Sequence, residues 1–197
     1  MKKRLILVTS PPACGKTYIS RQISKRLEHV VYLDKDTLIP LSNRVFAAGG
    51  QEVNRSSAFF EENIRDYEYE VIVNLALEAL EYDDLVLINA PFTQEVRDNA
   101  YIGALKEKLL QKNAELSIIW VETSIEVCRQ RMIARNSERD FWKLQNWDEY
   151  IKTRDFSIPA NLLEGKSDWI LFKNSSAEEF DESIARVVAL LEGKSDK

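Results

Sequence analysis

Residues 5–20, LILVTSPPACGKTYIS, constrain this chain more than any other stretch. The aliphatic run at 4–9 reads as a strand buried on both faces. It breaks at Pro11-Pro12. After Gly15-Lys16-Thr17, Ile19, Ile23 and Leu27 recur at i, i+4 and i+8, the apolar stripe of a helix. A loop that turns a strand directly into a helix leaves the first helical N–H groups free to face an anion. Ser10–Thr17 has the spacing of the phosphate-cradling P-loop, G-x-x-x-x-G-K-[ST], with Ser10 where that pattern has glycine.

The rest of the chain repeats the theme. Short apolar runs at 30–33, 85–88, 116–121 and 169–172 read as four more strands. Helical patterns lie between them. One covers 55–81, with Phe60, Ile64, Tyr67, Val71 and Leu75 as its inner stripe. Another covers 96–112, with Ile102, Leu105 and Leu109 inward. A third begins near Ser124. The last covers 177–192 and buries Phe180, Ile184, Val187, Val188 and Leu191. Residues 37–51 carry no clear period, and Gly49-Gly50 marks a break. Strands alternating with helices give an α/β fold, a parallel sheet covered on both faces with right-handed crossovers. With 197 residues and no linker, 1–197 is expected to be a single domain. LLEGKSD occurs at 162–168 and again at 190–196. Both copies read as helix ends closed by a glycine, Gly165 and Gly193, and neither follows a strand as Gly15-Lys16-Thr17 does.

Composition narrows the class. The net charge of -5 argues against a surface built for non-specific nucleic-acid binding. MKKRLILV is charged and then apolar, but the run is too short for a signal peptide and reads as the first strand. No run of about 18 apolar residues predicts a membrane span. Two cysteines, Cys14 and Cys128, make no disulfide framework, so a reducing, cytoplasmic setting is expected. His29 is the only histidine and reads as structural, which leaves no His–Cys metal set and no Ser-His-Asp nucleophile.

The candidate chemistry therefore centres on a nucleoside triphosphate. Ala13, Cys14, Gly15, Lys16, Thr17 and Tyr18 form the binding stretch. Gly15 lets the backbone approach the phosphates, Lys16 supplies a cation to the β- and γ-phosphates, and the Thr17 hydroxyl suits Mg²⁺, a hard ion that prefers oxygen. Cys14 sits at a helix start beside Lys16, where a thiol pKa can fall, though a small loop residue is the commoner reading. Asp34 and Asp36 follow the second strand, where ligands gather in open α/β sheets. Asp36 is the candidate base for an acceptor hydroxyl, or else the N-cap of a helix from Thr37; Asp34 could contact Mg²⁺ or position Lys35. Asn89 ends the third strand, where an amide could hold a metal-bound water or serve as a turn residue before Pro91. Arg131, Arg135 and Arg139 are spaced by four, so a continuous helix would set them on one side, either over a triphosphate or as a solvated face paired with Glu126, Glu138 and Asp140. Trp142, Trp147 and Tyr150 line an acceptor pocket or, on the favoured reading, seat a lid.

Taken together, these motifs make the chain resemble the small P-loop kinases, in particular the branch containing chloramphenicol phosphotransferase, the polynucleotide-kinase kinase domain and the zeta toxins. Asp36-Thr37-Leu38-Ile39 is similar to that branch's motif after strand two, and Arg131-Met132-Ile133-Ala134-Arg135 to its lid motif. Ser10, Ala13 and Asn89 depart from the commonest forms. The resemblance implies a three-layer P-loop NTPase fold, a five-stranded parallel sheet in the order 2-3-1-4-5, a short helical lid at about 129–147, and adenine contacts near Asn174 in the loop after strand five. It also implies ATP, Mg²⁺ and transfer of the γ-phosphoryl group to a hydroxyl. Asp36 would then take the proton, and Lys16, Arg131 and Arg135 would neutralise the moving charge. The acceptor site is expected in 37–70, which contains Arg44, Arg55 and Arg65. The acidic overall charge favours a small-molecule acceptor over a nucleic-acid end. The alternative is a nucleotide-binding ATPase or switch acting on a protein partner; the guanine motif Asn-Lys-x-Asp is missing.

Overall fold

The structure is a computed structural model that describes residues 3–152 and 154–193, with backbone alone at 138 and 139. The chain runs β1 (Lys3–Thr9), α1 (Lys16–Arg26), β2 (Val30–Asp34), a 3-10 turn (Lys35–Leu38), α2 (Ile39–Ala48), α3 (Ala58–Phe60), a π segment (Glu61–Arg65) and α4 (Asp66–Ala79). It continues through β3 (Leu85–Asn89), a 3-10 turn (Glu95–Arg97), α5 (Asn99–Leu110), β4 (Ala114–Glu122), α6 (Ile125–Arg135), α7 (Glu138–Gln145), α8 (Trp147–Lys152), α9 (Ala160–Leu163), β5 (Trp169–Lys173) and α10 (Ala177–Leu191).

Among the described residues the strands form one parallel sheet in the order β2-β3-β1-β4-β5. This is the order the resemblance implies. β1 lies at the centre, with Leu7 opposite Ile88 of β3 on one side and Ile118 of β4 on the other. Because successive side chains of a strand point to opposite faces, Leu5 and Leu7 pack under α4 and α5, while Ile6 and Val8 pack under α1 and α10. Both faces are thus buried, which is why the strands read as continuous apolar runs. All five strands end at the same edge as the loop after β1, so β2, β3, β4 and β5 deliver their C-terminal residues around it.

Three expectations need correction. The unassigned stretch 37–51 holds a 3-10 turn and α2, whose Pro40 stands in the first helical turn, where a missing N–H costs nothing. The inner stripe of the long helix is displaced. Phe60 and Ile64 are buried as expected, but Tyr67 (64% exposed), Val71 (43%) and Leu75 (44%) face outward, and Glu68, Ile72 and Ala76 face inward. The π segment supplies the reason: its wider turn takes up one extra residue and moves every later position along by one. Finally, Arg131, Arg135 and Arg139 do not share one helix. Asn136 adopts a left-handed conformation (φ 46°) and closes α6, and the side chain of Arg139 lies outside the described residues. Gly165 and Gly193 do close helices at positive φ, as the repeat suggests.

Candidate active site

The loop after β1 wraps around the start of α1. Two residues take left-handed conformations, Ala13 (φ 66°) and Gly15 (φ 88°). Only Gly15 is sterically compelled: a Cβ there would stand 2.6 Å from Asn174 Nδ2. Ser10 replaces the usual glycine without opening the turn, since it is buried and its hydroxyl donates to the Pro11 carbonyl (2.8 Å). The carbonyl of Cys14 collects three donors, Thr123 Oγ1 (3.0 Å), one terminal nitrogen of Arg131 (3.2 Å) and Asn174 Nδ2 (2.6 Å). The other terminal nitrogen of Arg131 donates to the Asn174 carbonyl (2.9 Å). The cradle is therefore held from behind by the end of β4, by α6 and by the residue after β5.

In front, Lys16 Nζ donates to Asn89 Oδ1 (2.8 Å), and Asn89 Nδ2 donates to Thr17 Oγ1 (3.3 Å) and to the Tyr32 hydroxyl (3.2 Å). Tyr32 in turn donates to Asp34 Oδ2 (3.0 Å). Asn89, at the end of β3, thus ties the P-loop to β2. Tyr32 and Ser20, which also donates to Asn89 Oδ1 (3.4 Å), went unnoticed in the sequence because each sits inside an ordinary strand or helix pattern. Burial pulls the Lys16 ammonium down to about 8, with Asp36 and Asp34 partly opposing the fall.

Asp34, not Asp36, caps the turn after β2: its Oδ1 accepts from the Asp36 N–H (3.1 Å). The Asp36 carboxylate has no hydrogen bond or ion pair among the described residues, and it lines a cavity of about 400 Å³ with Lys16, Thr17, Tyr18, Arg131, Arg135 and Lys143. Arg135 and Lys143 are fixed there by Asp140, which is fully buried rather than solvated. Arg135 donates twice to Asp140 Oδ2, once at 2.9 Å through Nε, and Lys143 donates to Oδ1 (2.9 Å). Those bonds outweigh the burial that would raise Asp140 and hold its carboxyl below the usual range. Trp147 and Tyr150 pack on Met132 as the seat beneath α6 and α7, while Trp142 is exposed. Cys14 is buried with its Sγ 3.5 Å from that of Cys128, and this contact together with burial pushes its thiol up, opposite to the fall that a helix start can cause.

A second cavity, of about 530 Å³, shares Ser10, Pro11, Pro12 and Pro91 with the first. Its wall includes Lys35, Arg55, Arg65, Arg97 and Arg154. Behind it lies another buried carboxylate, Glu68 of α4, which accepts from Lys35 (2.5 Å), from both terminal nitrogens of Arg55 (2.9 and 2.5 Å) and from Ser42 (2.5 Å). Of the region expected to shape an acceptor site, Arg55 and Arg65 reach this wall and Arg44 does not.

The Thr17 hydroxyl and the Asp36 carboxylate line the same cavity, and the Asp34 carboxylate is linked to Thr17 through Tyr32 and Asn89, so the candidate donors are oxygen atoms. That set fits a hard divalent cation carried in on phosphate oxygens. Among the described residues, no group of three His, Cys, Asp or Glu side chains could hold a metal by itself. Nor is any helix among them long and apolar enough to cross a membrane.

Residues 5–156 match the profile of a family described as AAA domain. No curated protein matches the sequence. Among solved structures, a candidate kinase from Chloroflexus aurantiacus j-10-fl superposes with a TM-score of 0.65 at 16% identity, covering 100% of both chains. A gluconokinase from Sinorhizobium meliloti 1021 gives 0.56 at 16%, covering 99% of this chain and 98% of that one. Kti12 from Chaetomium thermophilum, in complex with ADP-AlF3, gives 0.55 at 18%, with 93% and 96% covered. At such identities the likeness is one of fold.

Proposed function

This chain belongs to the AAA domain family, and from that premise we propose that it is an ATP-dependent phosphotransferase, moving the γ-phosphoryl group to a hydroxyl of a small-molecule or nucleotide acceptor. The observation that carries this reading is the pair of adjoining cavities. One holds the P-loop and its cations, the other a separate polar wall, and the two meet at Ser10–Pro12 and Pro91 beside Asp36. A nucleotide hydrolase needs one chamber; a transferase needs room for an acceptor next to it.

On this reading the N–H groups of 13–18 and the Lys16 ammonium bind the phosphates. Asp36, exposed and without a hydrogen bond or ion pair among the described residues, accepts the proton of the acceptor hydroxyl as the new P–O bond forms. Arg135 and Lys143, held by Asp140, present positive charge to the transferring group, and Arg131 adds its remaining N–H groups while bracing the loop. Mg²⁺ would be held by Thr17, with Asp34 and Asp36 within reach of its water shell; when bound it neutralises phosphate charge. Helices α6 to α8, spanning the lid expected at about 129–147, close over the nucleotide and exclude water, a competing acceptor. Asn174 faces the P-loop carbonyl here, so any adenine contact would come from its neighbours in the same loop. The single-domain organisation over 1–197 and a reducing, cytoplasmic setting, suited to two free thiols, complete the reading. Within the P-loop kinases we favour the branch of chloramphenicol phosphotransferase, polynucleotide kinase and zeta toxins, on the unpaired Asp36 after β2 and the Arg131–Arg135 pair.

The test is ADP release from Mg²⁺–ATP over nucleosides, sugars, sugar acids, antibiotics and 5′-hydroxyl oligonucleotides, with Lys16→Ala as the blank. Stimulation by one class is expected. Asp36→Asn should lower transfer at least a hundredfold and leave ATP affinity within about twofold. Equal loss of ATP binding would remove Asp36 from the role. Hydrolysis stimulated by a protein and by no small acceptor would establish the switch instead.

A further inference from the structure

We infer that the outward face of α4 is a docking surface for a partner protein, and that the partner presents a basic amphipathic helix to it. α4 is apolar on two sides. Tyr69, Ile72, Val73, Ala76 and Leu77 are buried in the core against the sheet. Tyr67, Val71 and Leu75 recur every fourth residue on the other side and are exposed. Single exposed apolar residues are ordinary on a protein surface. Three in one unbroken row, on a helix whose inner face is already complete, are not needed for the fold. Residues four apart form a ridge, and ridges are what a second helix packs against. From Tyr67 to Leu75 the ridge is about 12 Å long, so a partner helix of about three turns covers it.

The neighbouring ridge sets the partner's charge. Asp66, Glu70, Asn74 and Glu78 occupy it, all four exposed, and α4 contains no lysine or arginine. Asp66 is answered by Arg65 (2.9 Å), but the carboxylates of Glu70 and Glu78 make no ion pair among the described residues. Asp83 and Asp84, likewise without ion pairs among the described residues, follow just past the helix end beside the exposed Tyr82. An apolar ridge edged by unpaired carboxylates complements a helix whose apolar seam is edged by lysine or arginine. The same carboxylates argue against other occupants. A second copy of this chain, with its net charge of -5, would bring acidic ridge against acidic ridge. A nucleic acid or an anionic membrane would bring phosphates to them. Tyr67, Val71 and Leu75 line neither of the two cavities at the P-loop edge, so a partner seated here leaves both open.

The probes are two synthetic helical peptides of about twelve residues. Both carry the same leucine seam; one has lysine beside it and the other glutamate. Binding to the full chain is followed by fluorescence anisotropy and located by hydrogen exchange. The basic peptide should bind at least about tenfold more tightly than the acidic one, weaken several-fold from about 50 to about 300 mM salt, and slow exchange in α4. Val71→Ser, at an exposed position, should lower that affinity about fivefold and leave the melting temperature and ATP affinity unchanged. Glu70→Gln combined with Glu78→Gln should abolish the preference for the basic peptide. Equal binding of the two peptides, binding of neither, protection away from α4, or full affinity in Val71→Ser would overturn the proposal. So would a dimer in sedimentation that Val71→Ser dissolves, since the face would then belong to a second copy. Attachment to phosphatidylserine vesicles, lost in the same variant, would overturn it in favour of a membrane contact. None of these readouts needs phosphoryl transfer, so they decide the matter whatever reaction the P-loop serves.

Discussion

Lys16 is where the site is most sensitive to pH. Its half-buried ammonium donates to a neutral amide, Asn89, rather than to a carboxylate, and desolvation brings its pKa from 10.5 to about 8. Between those values the unfolded chain binds more protons than the folded one, so this group makes folding stability rise with pH in that window. Nucleotide binding has the opposite sign, because phosphate needs the charged form. ATP affinity should weaken about tenfold between pH 7 and pH 9 while the protein becomes no less stable, as calorimetric titration and urea melts at both pH values would show. An affinity that holds level to pH 9 would mean that Lys16 keeps its proton. The P-loop letters announce Lys16 and Thr17, and the strand before them announces their placement. The residues around Asn89 mark it as a candidate for a metal-bound water or a turn, and do not announce that it ties Lys16, Thr17, Ser20 and Tyr32 together.

At the scale of elements, two buried carboxylates organise the walls of the two cavities, and both came from segments that looked solvated. Asp140 lies in an arginine-rich run, and Glu68 lies one residue past Tyr67, which the unbroken helical period had placed inward. The π segment moved Glu68 into the interior, where it gathers Lys35 from the 3-10 turn, Ser42 from α2 and Arg55 from the loop before α3. Burial would raise its pKa, but the bonds from Arg55, Lys35 and Ser42 bring it down to about 2. Glu68→Gln should therefore destabilise the fold by about 3–5 kcal/mol at pH 7, because two cations lose their shared counter-charge. A depressed carboxylate stabilises above its unfolded value and loses that contribution as pH falls from about 4.5 toward 2. Denaturant melts at pH 7 and pH 3 should then show the variant and wild type converging in acid. A difference below 1 kcal/mol at pH 7 would show that Glu68 does not tie these elements together. No reading of apolar spacing finds such a slip, since the period before and after it is the same and only the phase changes. Asn136 was a readable stop, since asparagine is one of the few residues that take a left-handed helix cap at little cost, and it closes α6 before Arg139.

Across the whole molecule, the parallel sheet was legible from the residues, its strand order came from the resemblance to the P-loop kinases, and the contacts between the strand ends were not legible. Apolar runs and crossover rules lead to the sheet; nothing in them says that Thr123, after β4, reaches the carbonyl of Cys14. Arg97 and Arg154 were likewise out of reach, since they come to the second cavity from far outside 37–70. Thr123→Val keeps shape and removes one donor, so ATP affinity should fall several-fold with a stability loss of about 1 kcal/mol, and Thr123→Ser should restore both. Unchanged affinity in the valine variant would mean that the other two donors suffice.

The three donors to Cys14 come from 109, 117 and 160 residues farther along the chain. One of them, Asn174, lies beyond the 5–156 that carry the family signature. The eight letters of the cradle are therefore not a cassette. Moved into another strand–helix junction, or kept in a fragment that stops at the signature's end, they would spell the motif without its scaffolding. What would have to be transplanted is the meeting point of three distant segments.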